Sequence, residues 1–426
     1  MTGRLAFALS ALVVAACGSS GEGGPVATDD AGNSGSSSGL AGGSGSTGSG
    51  AGSSSGEGGT SSSSGGNTTT SSGGGSGTGS TSGTTSGSSS GGSAGSSSGT
   101  AGYADAGAGA DGGGDAARVC PLPTAFKWTS TGPLASPQSP TGHDFVSLKD
   151  FTCVHWNNLF SVYATVYDET VSGWNMVNFN FGDWSDASAA SQFYMQNSPT
   201  HGGVAPQLFF FTPKNEWILV YQWGATYATS TDPTKPQMWS AGKSLLTGGP
   251  SAGIDYSVIC DSQDCYLFFA GDDGNVYQSS MPVGQFPSAF NGYKVLLTDS
   301  TNNLFESPRI YSVIGSNPTK YLLIVEAIGS SGRYFRSFTS TSLASGWTAY
   351  AATQQDPFAG TANVTFEDGA WTNDVSHGDM VRYDPSETMP IDPCNMQFLY
   401  QGYDKTMPAS TYDLIPYRPA LLTMTQ

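Results

Sequence analysis

Five short, strongly apolar runs, each entered from a turn, set the narrowest limit on what this chain can fold into. They are Asn158-Leu-Phe-Ser-Val-Tyr-Ala164, Glu216-Trp-Ile-Leu-Val-Tyr-Gln222, Cys265-Tyr-Leu-Phe-Phe-Ala-Gly271, Lys320-Tyr-Leu-Leu-Ile-Val-Glu326 and Asn395-Met-Gln-Phe-Leu-Tyr-Gln401. All are aromatic or β-branched in character and bounded by Gly, Pro, Asn or Asp, so they read as strands. Near-continuous apolar character marks strands buried on both faces. Several are followed by a second strand-like run, such as Asn275-Val-Tyr-Gln-Ser279 or Arg333-Tyr-Phe-Arg-Ser337. The repeats recur irregularly, near ~60 residues apart, the order expected of propeller blades with loop insertions. The expected fold class is therefore all-β, a five-bladed β-propeller. A β-sandwich whose strands happen to look alike is the competing arrangement.

The runs occupy only part of the 426 residues. Residues 18–118 are Gly, Ser, Thr and Ala with a few acids, almost without large apolar side chains, and Arg118 is their only base. Such a tract cannot bury enough apolar surface to offset its ordering entropy, and is expected to be a disordered tether. If flexible, its ~100 residues reach roughly 50–60 Å. Residues 1–17 carry Arg4 and the apolar stretch Leu5 to Ala16, too short for a permanent span and expected to be a signal peptide. Its end, Val14-Ala15-Ala16-Cys17-Gly18, resembles a bacterial lipobox, which implies lipidation of Cys17. Gly18, rather than Asp, after that cysteine favours the outer membrane or cell surface over the inner membrane. Simple secretion is the alternative. The catalytic-size unit is thus expected at 119–426, as a monomer that meets the membrane only through its anchor.

Net charge is −18, from 33 acids against 15 bases. An acidic chain without a basic stripe argues against nucleic acid and leaves a neutral polysaccharide compatible. Among six cysteines, Cys260 and Cys265 flank a turn-like Asp261-Ser262-Gln263-Asp264, suiting a hairpin disulfide in an exported protein. Cys120 and Cys394 stand near the two ends of the folded unit, where a bridge ties first and last elements together. Cys153 is left over as a buried free thiol. No cysteine spacing suits zinc.

The strand before each apolar run is expected to lie nearest the propeller axis. Carboxylates stand before three of them: Asp150 in Leu148-Lys149-Asp150, Asp255 in Ile254-Asp255-Tyr256 and Glu306 in Phe305-Glu306-Ser307. Ser376-His377-Gly378-Asp379 precedes the fifth. Glycoside hydrolysis needs one ionised carboxylate and one protonated acid, and a third carboxylate beside the acid raises its pKa by like-charge repulsion. A propeller brings such residues to one funnel.

From Cys120 to Thr423 the chain resembles glycoside hydrolase family 62, the α-L-arabinofuranosidases acting on arabinoxylan. The resemblance is carried by an ordered series: Phe126-Lys-Trp-Thr-Ser-Thr-Gly-Pro-Leu134, Ser147-Leu-Lys-Asp150, Tyr221-Gln-Trp-Gly224, Leu267-Phe-Phe-Ala-Gly-Asp-Asp-Gly274, Asn303-Leu-Phe-Glu306, Gly332-Arg-Tyr-Phe-Arg-Ser337 and Trp371-Thr-Asn-Asp-Val-Ser-His-Gly378. It implies Asp150 as general base, Glu306 as general acid and Asp255 as the residue tuning that acid, with inversion at the anomeric carbon. It implies Lys149, Trp223, Tyr412 and Tyr417 as substrate-binding positions. It also implies His377 as ligand to a structural calcium ion in the central channel, with no organic cofactor. Tyr403 stands where the family is expected to carry Arg, which puts the xylan-chain contacts in question. Ser307 replaces a commoner Ala. The competing functions are a related propeller glycosidase acting on arabinan or xylosides, and a carbohydrate-binding propeller without turnover.

Overall fold

A computed structural model describes residues 119–407 and 409–425; the signal segment, Cys17 and the tract at 18–118 lie outside the described residues. Each apolar run forms the second strand of an antiparallel sheet, and the five sheets are the blades of a β-propeller. Blade 1 comprises Lys149–Trp156, Leu159–Asp168, Gly173–Phe181 and Gln192–Tyr194. Blade 2 comprises Val204–Phe211, Glu216–Gln222, Thr226–Ser230 and Lys243–Ser244. Blade 3 comprises Ile254–Cys260, Asp264–Ala270, Asn275–Pro282 and Lys294–Thr298. Blade 4 comprises Glu306–Val313, Lys320–Gly329, Gly332–Ser340 and Thr348–Ala349.

Blade 5 draws on both ends of the domain. Ser376–Met380, Gln397–Gly402 and Arg418–Met424 are joined by Trp128–Ser130, which pairs antiparallel with the last strand, Trp128 opposite Met424. The first strand of the domain thus closes the ring. A disulfide between Cys120 and Cys394 fastens the segment ahead of that strand, and Cys260–Cys265 staples the first hairpin of blade 3. Cys153 is free and buried.

The run character follows from burial. Leu219, Val220, Leu267, Phe268, Leu322 and Leu323 are fully buried between neighbouring blades. Each such side chain contributes ~1.5–3 kcal/mol relative to an exposed one. Among the described residues, helix is limited to single 3-10 turns such as Trp184–Asp186, and no helix is long and apolar enough to cross a membrane.

Every innermost strand opens with the same irregularity. Its pairing with the second strand shifts between Lys149 and Thr152, Val204 and Gln207, Ile254 and Ser257, Glu306 and Arg309, and Ser376 and Gly378. In blades 1 to 4 the residue after the first pair is left-handed: Asp150 (φ 52°), Ala205 (47°), Asp255 (56°) and Ser307 (56°). A left-handed L-residue costs about 1–2 kcal/mol and persists where its surroundings over-determine it.

Here the surroundings are the adjacent blade. The N–H of Asp150 donates to Gln401 Oε1 (2.7 Å), that of Ala205 to Thr165 Oγ1 (2.8 Å) and that of Asp255 to Gln222 Oε1 (2.6 Å). The N–H of Ser307 donates to Asp255 Oδ2 (2.8 Å), and that of His377 to Glu326 Oε2 (2.6 Å). Five side-chain caps therefore run round the ring, each from one blade to the next. Four caps sit on the second strand; blade 3 has Ala270 at that register and uses Asp255 of its inner strand instead.

Candidate active site

The bulged ends of the inner strands bring the candidate carboxylates together at one mouth of the channel. Asp150 and Asp255 occupy the same left-handed position in blades 1 and 3, and Glu306 stands one residue earlier in blade 4. The three carboxylates are thus brought together, though not from strictly equivalent positions. His377 is 1% exposed, with Nδ1 3.3 Å from Asp150 Oδ1 and 3.7 Å from Asp255 Oδ2. Two residues on in the same strand, Asp379 accepts hydroxyl bonds from Thr152 and Tyr311, both at 2.7 Å.

The environments of the carboxylates differ. Burial raises the Asp150 carboxyl above its ordinary range; Lys149, 3.7 Å away, opposes this and Glu306 reinforces it. Burial also raises Asp255, well above its ordinary range, and the charges of Glu306 and Asp150 push it further. The Ser307 N–H and Arg309 pull it back. Through that N–H, Asp255 fixes the backbone next to Glu306. Glu306 Oε1 accepts from Arg333 Nη1 at 2.6 Å, and the same nitrogen donates to Glu326 Oε1 at 2.6 Å. Burial raises the Glu326 carboxyl, with Arg333 as the main opposing charge.

Lys149 Nζ donates to Tyr412 Oη at 2.6 Å and sits over the rings of Trp174 and Tyr412, 4.7 and 4.5 Å from their centroids. Burial works against its charge, but Asp150, Tyr412 and Glu306 outweigh that and raise its pKa. Tyr417 is 2% exposed and packs on Tyr403 and behind Lys149, so it backs the wall; Tyr412 is 43% exposed and forms the surface. Trp223 is 64% exposed, which removes a core role for its ring. It directly follows Gln222, the cap of Asp255. Tyr403 is half-buried beside Tyr417, its N–H donating to Thr372 Oγ1.

The residues around His377 do not fit the calcium ion that the resemblance implies. Its other ring nitrogen, Nε2, faces Arg309 Nη2 at 3.2 Å. Calcium takes six to eight oxygen ligands, and among the described residues no group of three His, Cys, Asp or Glu is placed to hold a metal. Burial, then the charges of Arg309, Lys149 and Arg333, lowers the His377 pKa well below its ordinary range.

Residues 127–423 match glycosyl hydrolase family 62. The chain belongs to glycosyl hydrolase family 62. It is 42% identical over 311 residues to alpha-L-arabinofuranosidase C of Cellvibrio japonicus (strain Ueda107), covering 72% of this chain but 48% of that protein, about half its length. The catalytic domain of a family 62 alpha-L-arabinofuranosidase from Coprinopsis cinerea superposes with a TM-score of 0.68 at 39% identity, over 71% of this chain and 98% of that one. The alpha-L-arabinofuranosidase of Podospora anserina, solved with cellotriose, gives 0.66 at 37% identity over 72% and 98%. A family 62 hydrolase solved with xylotriose gives 0.67 at 36% identity over 70% and 98%.

Within this family 62 site, several residues carry little signal in the sequence alone. Arg333 and Glu326 were visible only as charges inside otherwise apolar blade runs. Trp174, Gln222 and Gln401 had no local signal, because their partners lie in other strands or other blades. Aligning the blades on their first residues brings out Arg309, since Val204-Ala-Pro-Gln207 and Glu306-Ser-Pro-Arg309 then superpose.

Proposed function

We propose that this protein hydrolyses terminal α-L-arabinofuranosyl side chains of arabinoxylan, with inversion, releasing L-arabinose. The observation that carries this is the convergence of Asp150, Asp255 and Glu306 at one channel mouth, with His377 between the two aspartates. Family membership and a xylotriose-bound relative support the substrate class.

In this reading Asp150 takes a proton from water as the water oxygen bonds to the anomeric carbon. The glycosidic C–O bond breaks, and its electron pair takes the Glu306 proton on the leaving xylose oxygen. Asp255 orients Glu306 through the Ser307 N–H. Lys149 and Tyr412 bind sugar hydroxyls, and exposed Tyr412 and Trp223 offer rings to the xylan chain. No organic cofactor enters these steps.

Proton NMR of the first-formed arabinose from arabinoxylan tests the proposal. Inverted product is expected, and loss of release in Asp150→Asn with xylan binding kept. Retained configuration would overturn the mechanism. Faster release from linear arabinan than from arabinoxylan would favour the arabinan reading, and binding without release by the native enzyme would favour a carbohydrate-binding module.

Export, lipidation of Cys17 and a tether at 18–118 holding a monomeric catalytic unit off the outer membrane or cell surface belong to the same proposal. Mass spectrometry of the mature N-terminal peptide tests the anchor: a diacylglyceryl cysteine is expected, and an unmodified terminus beyond residue 17 would exclude it.

A further inference from the structure

The fourth residue of each inner strand stands at a matched register: Thr152 opposite Tyr163, Gln207 opposite Val220, Ser257 opposite Phe268, Arg309 opposite Ile324 and Asp379 opposite Leu399. Three of the five are uncharged, and the Asp379 carboxylate is held by hydroxyls of Thr152 and Tyr311. Blade 4 alone places a full cation there, and Arg309 is 1% exposed. An arginine this buried requires a partner that uses its charge or its donors.

Arg309 Nη2 donates to Pro206 O at 2.9 Å and lies 3.2 Å from His377 Nε2. Nε and Nη1 are buried with no protein partner. A guanidinium has only donors, so His377 Nε2 must be the acceptor and the imidazole proton resides on Nδ1. That nitrogen faces Asp150 Oδ1 at 3.3 Å and Asp255 Oδ2 at 3.7 Å. A metal ion on Nε2 would enforce the same tautomer, since the group bound at one ring nitrogen decides the proton on the other. The two cannot coexist. An imidazole nitrogen has a single lone pair, and a divalent ion beside the guanidinium would meet a like charge in a poorly screened channel.

We propose that Arg309 takes the place of a channel metal ion, holding His377 as its Nδ1–H tautomer and thereby orienting Asp150, so that this enzyme works without calcium. Arg309 is then a positioning residue. The consequence for turnover rests on Asp150 being the general base, whereas the metal and tautomer measurements require no substrate and stand apart from that reading.

The test uses the full-length protein equilibrated with calcium chloride and freed of unbound ion. Elemental analysis is expected to find far less than one calcium per chain, with the thermal midpoint unmoved by EDTA or by added calcium. Long-range proton–nitrogen NMR, with His377→Gln for assignment, is expected to show the Nδ1–H ring. One equivalent of calcium whose removal lowers the midpoint, or an Nε2–H ring in the native protein, would overturn the proposal. Arg309→Met removes every donor; it is expected to mix the tautomers and lower kcat about tenfold with KM nearly unchanged, the usual scale for a group one step behind a reacting residue. A folded Arg309→Met enzyme with native tautomer and native kcat would also overturn it. If that variant does not fold, the measurements on the native chain still decide.

Discussion

Blades 2 and 4 enter the channel with the same backbone and opposite chemistry. Val204-Ala205-Pro206-Gln207 and Glu306-Ser307-Pro308-Arg309 share a bulge, a left-handed second residue, a proline and a cap from the preceding blade. Blade 2 carries no charge in this stretch. Blade 4 carries a carboxylate bonded to Arg333 at its first position and a buried guanidinium against His377 at its fourth. Geometry here belongs to the bulge and the inter-blade cap, and function to which side chains are hung on it.

Making blade 4 resemble blade 2 should have the largest effect. On the proposed mechanism Glu306→Gln keeps shape and removes the acid, so arabinose release should fall by about 10²–10⁴-fold, the range for loss of general acid–base catalysis. Thermal unfolding should change little, because the side chain reaches the mouth of the channel. Near-native turnover of the purified variant would remove Glu306 from the reaction.

The cap of blade 4 is the next test. Asp255→Ala strands the buried Ser307 N–H and should lower unfolding stability in urea by about 1–3 kcal/mol, the cost of an unsatisfied buried group. Turnover should fall with it. Asp255→Asn keeps an acceptor oxygen and should recover most of the stability without recovering turnover. Equal stability losses in the two variants would mean that the charge, and not the cap, sustains the bulge.

Asp272 supplies a pH test on the rim beside blade 4. Although Asp272 is exposed, partial desolvation by its neighbours, then the charge of Glu306, pushes its carboxyl up to about 6 from an ordinary 3.8. The folded state therefore binds this proton more tightly than the unfolded state. The stability it contributes is fully present below pH 3.8 and lost as pH rises through about 6. Relative to Asp272→Asn, the thermal midpoint of the native protein should rise as pH is lowered from 7 to 5. Parallel midpoint curves for the two proteins would remove Asp272 from the charge cluster.

The smallest effect should come from blade 2 itself. Ala205→Gly relieves a left-handed alanine, a conformation costing about 1–2 kcal/mol for an L-residue, though the glycine also gains freedom when unfolded. A net gain of up to ~1 kcal/mol is expected, with arabinose release unchanged. A fall in release would show that blade 2 shares in positioning the site.

Much of this was legible from local pattern. The apolar runs announced five doubly buried strands, and the turn between Cys260 and Cys265 announced a hairpin. Asp150, Asp255 and Glu306 stood out because carboxylates beside Leu, Ile and Phe mark a burial that must be compensated. The exposures of Tyr412 and Tyr417 were not legible: both are tyrosines in one C-terminal stretch, and only packing against Tyr403 and Lys149 buries the second. The calcium expected at His377 followed from likeness of the surrounding residues, while the group facing Nε2 comes from position 309.

Local sequence specifies an all-β chain with five repeats, cysteines near both ends of the ring, and the three carboxylates before the first, third and fourth runs. These depend on side-chain periodicity and on spacing along the chain. Tertiary structure alone decided that Glu306 sits one residue out of step with Asp150 and Asp255, that each blade caps the next, and that Arg309 faces His377. The physical reason is reach: Arg309 meets Pro206 and His377 across 103 and 68 positions. A bulge also changes which residues face the channel, because strand side chains alternate with period two.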